Sequence, residues 1–139
     1  MKIIALDIGE KRTGVAISNN ISTMCTPLDY IKSEDLEFFI NELSIIIENK
    51  DVNKIIIGLP KLLSGKEGSR AKFSRYISKK IKQKIINIEI ILWDERLTTK
   101  EAEKNLIQSG IRKAKIKEKI DSESAVLILE NYLNTQRKI

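Results

Sequence analysis

The first apolar positions of the chain fall in two short runs, Ile3–Leu6 and Val15–Ile17, parted by a polar stretch that opens with Asp7 and contains Gly9 and Gly14. Aliphatic and β-branched residues on both sides of a glycine-bearing turn predict a β-hairpin, with Asp7 at the tip of its first strand. Asn19 and Asn20 predict a tight turn, and Met24–Ile31 a third strand that Pro27 places at a sheet edge. The period then changes. Leu36, Phe39, Ile40, Leu43, Ile46 and Ile47 recur at helical spacing behind Ser33, which reads as an N-cap with Glu34 and Asp35 in the first turn, and this helix is expected to end near Asn49.

Lys54–Leu59 is an almost unbroken apolar run closed by Gly58 and Pro60, the pattern of a central parallel strand covered on both faces. Ser64–Gly68 predicts a loop. Ser69–Lys84 predicts a second helix, with Phe73, Ile77 and Ile81 on one stripe and Arg70, Lys72, Arg75, Lys79 and Lys82 largely elsewhere; the ordinary meaning of such charges is a solvated face. Glu89–Trp93 reads as a strand that stops at Asp94-Glu95-Arg96, and Thr98 with Glu101 forms a capping box for a third helix running to about Ser109 and ended by Gly110. Arg112–Lys119 reads as a basic connector. A last helix from about Ile120 turns Ala125, Ile128, Leu129, Tyr132 and Leu133 inward, and the tail after Asn134 is expected to fray. This order predicts one α/β domain over residues 1–139, built on a mixed five-stranded sheet. Strands one, four and five are parallel, the initial hairpin strands are antiparallel, and helices cover both faces.

Composition narrows the chemistry. A chain of 139 residues can bury a core without staples. With 42% hydrophobic and 32% charged residues, no apolar run of bilayer length and no secretory h-region, it is expected in the cytoplasm with no membrane partner. Cys25 is the single cysteine and there is no histidine, which removes internal disulfides, Cys/His zinc sites and nucleophiles that lean on histidine. Catalysis would have to come from carboxylates, lysine, hydroxyls or a carboxylate-held metal. The net charge of +6 points toward a polyanion such as nucleic acid, although a bias toward Ile, Lys and Asn would produce the same number.

In an open α/β sheet, ligands bind beyond the carboxyl ends of the parallel strands. Asp7, Gly58-Leu59-Pro60 and Asp94-Glu95 end strands one, four and five, and Asp121, one turn before Ala125, lies on the inward stripe of the last helix. Three converging carboxylates repel by about 4 kcal/mol per pair at roughly 4 Å in an effective dielectric near 20. A hard divalent cation relieves that repulsion, and oxygen-only ligation selects Mg²⁺ or Mn²⁺ over zinc. One such ion, or a pair, would generate hydroxide and stabilise the leaving oxygen in phosphodiester hydrolysis. Each acid also has a plainer role: Asp7 as an acceptor of turn hydrogen bonds, Glu95 as the partner of Arg96 or Lys100, Asp121 as a helix cap. Lys11, Arg12 and Arg96 are either phosphate contacts or local partners of the acids, and the stretch Arg112–Lys119, with Lys113 and Lys115, and the second helix are basic surfaces suited to RNA. Trp93 either packs in the core or stacks on an unpaired base.

Four stretches in order carry a family resemblance over nearly the whole chain: Asp7, Gly9, Lys11, Arg12, Gly14, Val15 and Ala16; Ile55–Pro60; Asp94–Thr99; and Asp121-Ser122 with Ala125–Leu129. Together they resemble the YqgF family of RNase H-like pre-16S rRNA nucleases, also called Holliday-junction-resolvase-like proteins. The resemblance implies an RNase H-like fold with Asp7, Glu95 and Asp121 as catalytic, metal-binding acids. It implies a metal-dependent endonuclease that processes the 5′ end of pre-16S rRNA during ribosome maturation, with rRNA precursor as partner, working as a monomer or weak homodimer. Two alternatives share the pattern. One is resolution of branched DNA, which needs a dimer presenting two sites; the other is a non-catalytic, nucleic-acid-binding factor in ribosome assembly. A sugar-kinase type of phosphate loop would need a second clamping domain. The loop after Pro60 departs from the family, with Lys61-Leu62-Leu63 where a polar Asn or Asp segment is common.

Overall fold

Strand β1 (Lys2–Asp7) holds the middle of a five-stranded sheet. The computed structural model describes residues 2–19, 24–94 and 113–137, the side chains of 113–122 and 137 excepted. Around β1 stand β2 (Arg12–Ser18), β3 (Cys25–Lys32), β4 (Val52–Leu59) and β5 (Glu89–Asp94), in the spatial order β3-β2-β1-β4-β5. β1 pairs antiparallel with β2 and parallel with β4, β4 is parallel to β5, and β2 is antiparallel to β3. The predicted mixed sheet is therefore present, with β3 and its Pro27 at one edge.

Strand alternation divides the side chains between two faces. Ile4, Leu6, Val15, Ile17, Ile55 and Ile57 point to one side, where they meet Phe39, Ile40 and Leu43 of α1 (Leu36–Lys50) and Ile77 and Ile81 of α2 (Ser69–Lys84). Ala5, Ala16 and Ile56 point to the other and are covered by Ala125, Ile128, Leu129, Tyr132 and Leu133 of α3 (Lys113–Arg137). The inward set expected of the last helix is the observed one. Trp93, partly buried, packs against this second layer, edge-on to the Tyr132 ring at 5.5 Å. The Tyr132 hydroxyl accepts a 3.0 Å hydrogen bond from Lys54 Nζ, which together with the nearby Glu89 holds the ammonium pKa above its ordinary value.

Three boundaries differ from the sequence reading. Ser33 does not cap α1; Asp35 does, its carboxylate accepting from the N–H groups of Glu37 and Phe38 at 3.0 and 3.4 Å. The helix ends near Asn49 as expected, at Lys50, and is stopped by Asp51, whose φ of 55° is the left-handed conformation that aspartate tolerates and whose N–H reaches the Ile47 carbonyl. The stretch read as a basic connector is helical from Lys113, because Lys, Ala and Glu are good helix formers and like charge alone does not break a helix. The same helix continues beyond Asn134 to Arg137. The connection after β2 is closed by Asn19, whose N–H donates to the Met24 carbonyl at 3.0 Å and whose side-chain oxygen accepts from the Met24 N–H at 3.3 Å. Asn20 and the helix expected over Thr98–Ser109 lie outside the described residues. Among the described residues no helix is long and apolar enough to cross a membrane.

Leu129 is fully buried where α3 meets the sheet, whereas Ile86 is 78% exposed. Leu129→Ala should therefore lower unfolding free energy by about 2–5 kcal/mol and Ile86→Ala by less than about 0.5, read from urea midpoints at constant m-value.

Candidate active site at the strand ends

Asp7 is the last residue of β1, half-buried and opposite Gly14 of β2. Alternation puts it on the face of Ala5, toward α3 rather than toward α1 and α2. The parallel strands end at nearly the same level. Leu6 is beside Ile57, the following pair Gly58 and Trp93 lies across β4 and β5, and Leu59 is beside Asp94. The strand ends that the sequence reading expected to be neighbours are neighbours.

The turn that follows Asp7 is clamped by hydroxyl groups from two directions. The N–H of Gly9 donates to Thr13 Oγ1 at 3.4 Å, and the Gly9 carbonyl accepts from Ser33 Oγ at 2.6 Å. The Ser33 N–H in turn donates to the Lys11 carbonyl at 2.9 Å. Thr13 has no exposed surface and Ser33 only 8%, so water is not at hand to replace either hydroxyl. Gly9 is required by close approach, since a Cβ there would stand 2.2 Å from the Arg12 carbonyl oxygen. At Gly14 the β2–β3 register shifts between Thr13 and Val15, an irregularity of the kind that lets a strand bend beside a site. Sequence reasoning missed Ser33 as part of this turn. Its only local signal, a hydroxyl residue ahead of a helix, points equally to capping.

The other candidate residues are placed unevenly. Lys11 is exposed at the turn, and Arg12 is half-buried with its guanidinium 5.3 Å from the centre of the Tyr30 ring on β3. Asp121, Lys113 and Lys115 lie on the backbone of α3, Asp121 one turn before the fully buried Ala125. Glu95 and Arg96 lie outside the described residues. Among the described residues no three or more Asp, Glu, His or Cys side chains gather to hold a metal; Asp7 is the one member of the expected set that they include.

A family model described as "RuvX: Holliday junction resolvase" matches residues 1–135. The chain belongs to that family. This bears out the resemblance carried by the four motifs. A Sulfurihydrogenibium protein named "Putative pre-16S rRNA nuclease" is 43% identical over 134 residues, covering 96% of this chain and 90% of its own. A Bacillus subtilis protein of the same name is 36% identical over 137 residues, covering 97% and 99%. Among solved structures, the fowlpox virus Holliday junction resolvase matches with a TM-score of 0.60 at 16% identity, over 97% of this chain and 99% of that one. Thermus thermophilus RuvC matches with a TM-score of 0.55 at 8% identity, over 98% and 97%. At such identities these structures speak for the fold, and the fold is RNase H-like.

In this RuvX-family chain the loop after Pro60 is well braced. The Lys61 N–H donates to the Leu59 carbonyl at 3.0 Å, and the N–H groups of Leu62 and Gly65 donate to the carbonyls of Lys66 and Leu62, both at 2.8 Å. Gly65 has a φ of 89°, open to glycine and strained for other residues. Glu67 then accepts a two-pronged contact from Arg75 of α2, at 2.6 and 2.7 Å. That hydrogen bond, more than any other influence, holds the Glu67 carboxyl below the usual range for glutamate.

Ser33→Ala leaves the Gly9 carbonyl without its donor and should cost about 1–3 kcal/mol of stability, while Gly9→Ala should cost at least about 2, both measured by denaturant unfolding. Because the folded pKa of Glu67 is depressed, its link to α2 is intact above the ordinary carboxylate range and is lost as pH falls through the depressed value. A carbon-13 NMR titration should therefore place the Glu67 midpoint below that of other exposed glutamates, and Arg75→Gln should raise it.

Proposed function

We propose that this RuvX-family protein is a metal-dependent endonuclease that processes the 5′ end of pre-16S rRNA, with Asp7, Glu95 and Asp121 as its catalytic acids. The single observation that carries the reading is the position of Asp7, half-buried at the end of the central strand on the side covered by the helix that bears Asp121. A carboxylate so placed loses hydration, and a cation offsets that loss. The donor set of Asp and Glu oxygens fits Mg²⁺ or Mn²⁺ and does not fit zinc. When bound, such an ion supplies stabilisation of the charge that builds on the phosphodiester. The chain's own residues do the rest. Asp7 is oriented by a turn clamped at Gly9, Lys11 on that turn is exposed to meet a phosphate, and Lys113, Lys115, Arg12 and Arg96 are the further candidate contacts to the nucleic acid.

The names of the relatives favour an rRNA precursor, and on this reading the protein acts in the cytoplasm as a monomer or weak homodimer. Branched DNA is the second substrate to test, because the family description and the matching structures name Holliday junctions.

Purified protein incubated with precursor rRNA, and separately with a four-way DNA junction, should cleave the RNA in Mg²⁺ or Mn²⁺ and cleave nothing in chelator. Asp7→Asn, Glu95→Gln and Asp121→Asn should each lower the rate by at least about a hundredfold. Metal should also raise the melting temperature of the wild type, since a ligand at a hundred times its Kd adds about 2.7 kcal/mol to folding, and Asp7→Asn should gain much less. Wild-type rates in all three variants would remove these acids from the mechanism.

A further inference from the structure

The positive charge of this chain is not spread over its surface. Helix α2, Ser69–Lys84, contains Arg70, Lys72, Arg75, Lys79, Lys80, Lys82 and Lys84 and no Asp or Glu. Its charge of +7 exceeds the +6 of the whole chain, so the remaining residues sum to −1. A compositional bias toward lysine would have no reason to concentrate in one helix. A merely solvated helix gains from mixed charges at i, i+4, whereas here Arg75 with Lys79 and Lys80 with Lys84 repel at that spacing.

Lys72, Arg75, Lys79 and Lys82 follow at intervals of three, four and three residues. They make one stripe about 15 Å long at 1.5 Å per residue. The stripe borders a groove of about 820 Å³ between α2 and the outer edge of β5, with Tyr76 on its wall and Ile90 and Leu92 in its lining. Arg75 is committed to Glu67, but Lys72, Lys79 and Lys82 are exposed and enter no ion pair among the described residues. Glu89, the acid of the groove, has Lys54 at 3.8 Å. Tyr76 is 50% exposed, lies against Phe73 with ring centroids 6.4 Å apart, and has Lys80 Nζ 5.5 Å from its centroid. Since α2 joins parallel strands β4 and β5, it runs antiparallel to them. Its Lys72 end therefore lies toward the strand ends that carry Asp7 and Asp94, and its Lys82 end lies away from them.

We propose that the groove between α2 and β5 holds a single-stranded segment of nucleic acid, with phosphates on Lys72, Lys79 and Lys82 and a base against Tyr76. The stripe spans about four nucleotides of a stacked strand at 3.4 Å each. The partner is single-stranded because the groove pairs cations with an aromatic ring and apolar lining, which only unpaired bases can use; a duplex keeps its base faces stacked inside. The track leads away from the candidate active site, and would hold an unpaired extension of the substrate while the scissile phosphate lies at the strand ends. It deepens the nuclease reading and rests on it for the identity of the polyanion.

The test is fluorescence anisotropy with the full chain in chelator, where nothing is hydrolysed, using a labelled twelve-nucleotide oligouridylate and a blunt RNA duplex of the same length. The oligouridylate should bind more tightly, and its log-log salt slope should be about −2, from three contacts at about −0.7 each. The combined Lys72→Gln, Lys79→Gln, Lys82→Gln protein should lose at least tenfold in affinity and most of that slope, and the corresponding triple arginine variant should keep both. Tyr76→Ala should weaken binding at least about fivefold at an unchanged slope, because stacking releases no counterions. A glutamine variant that melts like the wild type and binds oligouridylate with the same affinity and slope overturns the proposal. So does equal binding of the duplex with no effect of Tyr76→Ala, which describes an indiscriminate polyanion surface. Intact single-strand binding in a protein that cleaves nothing with any metal would instead overturn the nuclease reading and leave the track standing.

Discussion

The approach of α3 to the sheet sets the geometry of everything at the strand ends, and alanine sets that approach. Ala5 and Ala16 lie opposite each other on β1 and β2, with Ile56 beside them on β4, and both alanines are fully buried against a helix that meets them with Ala125. Interiors pack without gaps, so a floor of methyl groups lets a helix backbone settle closer than a floor of isoleucines does. The opposite face makes the contrast plain: there Ile4, Leu6, Val15, Ile17, Ile55 and Ile57 present full-sized side chains to α1 and α2. On the α3 face strand β1 carries Ile3, the fully buried Ala5 and then Asp7. The acid emerges on the side where a helix can come near it.

A second constraint is the satisfaction of buried polar groups. The turn after Asp7 cannot pair as a strand, and burial of Thr13 and Ser33 keeps water from substituting for a ladder partner. The two hydroxyls take the N–H and the C=O of Gly9 between them, and the Ser33 backbone takes the carbonyl of Lys11. This ties the first hairpin to the start of α1 by bonds that span more than twenty residues of sequence. The loop after β4 is stabilised in another way, by its own backbone hydrogen bonds and by an exposed guanidinium fork from Arg75. Exposed ion pairs contribute little to global stability, but a bidentate one sets direction well.

Charge in this protein is organised by face rather than by total. At physiological ionic strength an exposed charge is felt over roughly 8 Å, so the local sum governs a polyanion and the overall sum does not. Helix α2 is a continuous positive element, while Asp7 and Asp94 end strands β1 and β5. The loop 60–68 joins the end of β4 to the cationic helix.

The apolar pattern by itself determined the strand and helix order, the parallel and antiparallel pairing, the span of α2 and the inward stripe of α3, because each follows from a local period and from the short connections between elements. Family motifs legible in the chain singled out Asp7, Glu95 and Asp121. Tertiary structure decided what depends on contacts distant in sequence. Ser33 carries the local signature of a cap and serves instead to clamp Gly9, since nothing near Ser33 in sequence reveals a carbonyl twenty-four residues earlier. Nothing near Trp93 in sequence reveals Tyr132 as its neighbour. Lys113–Lys119 looked like a connector because its charges repeat, yet helix propensity prevailed. The basic face of α2 was visible in the sequence, both as a solvated surface and as a candidate surface for RNA. Only folding set its cations beside Tyr76 and the edge of β5, because a groove is made by two elements and belongs to neither alone.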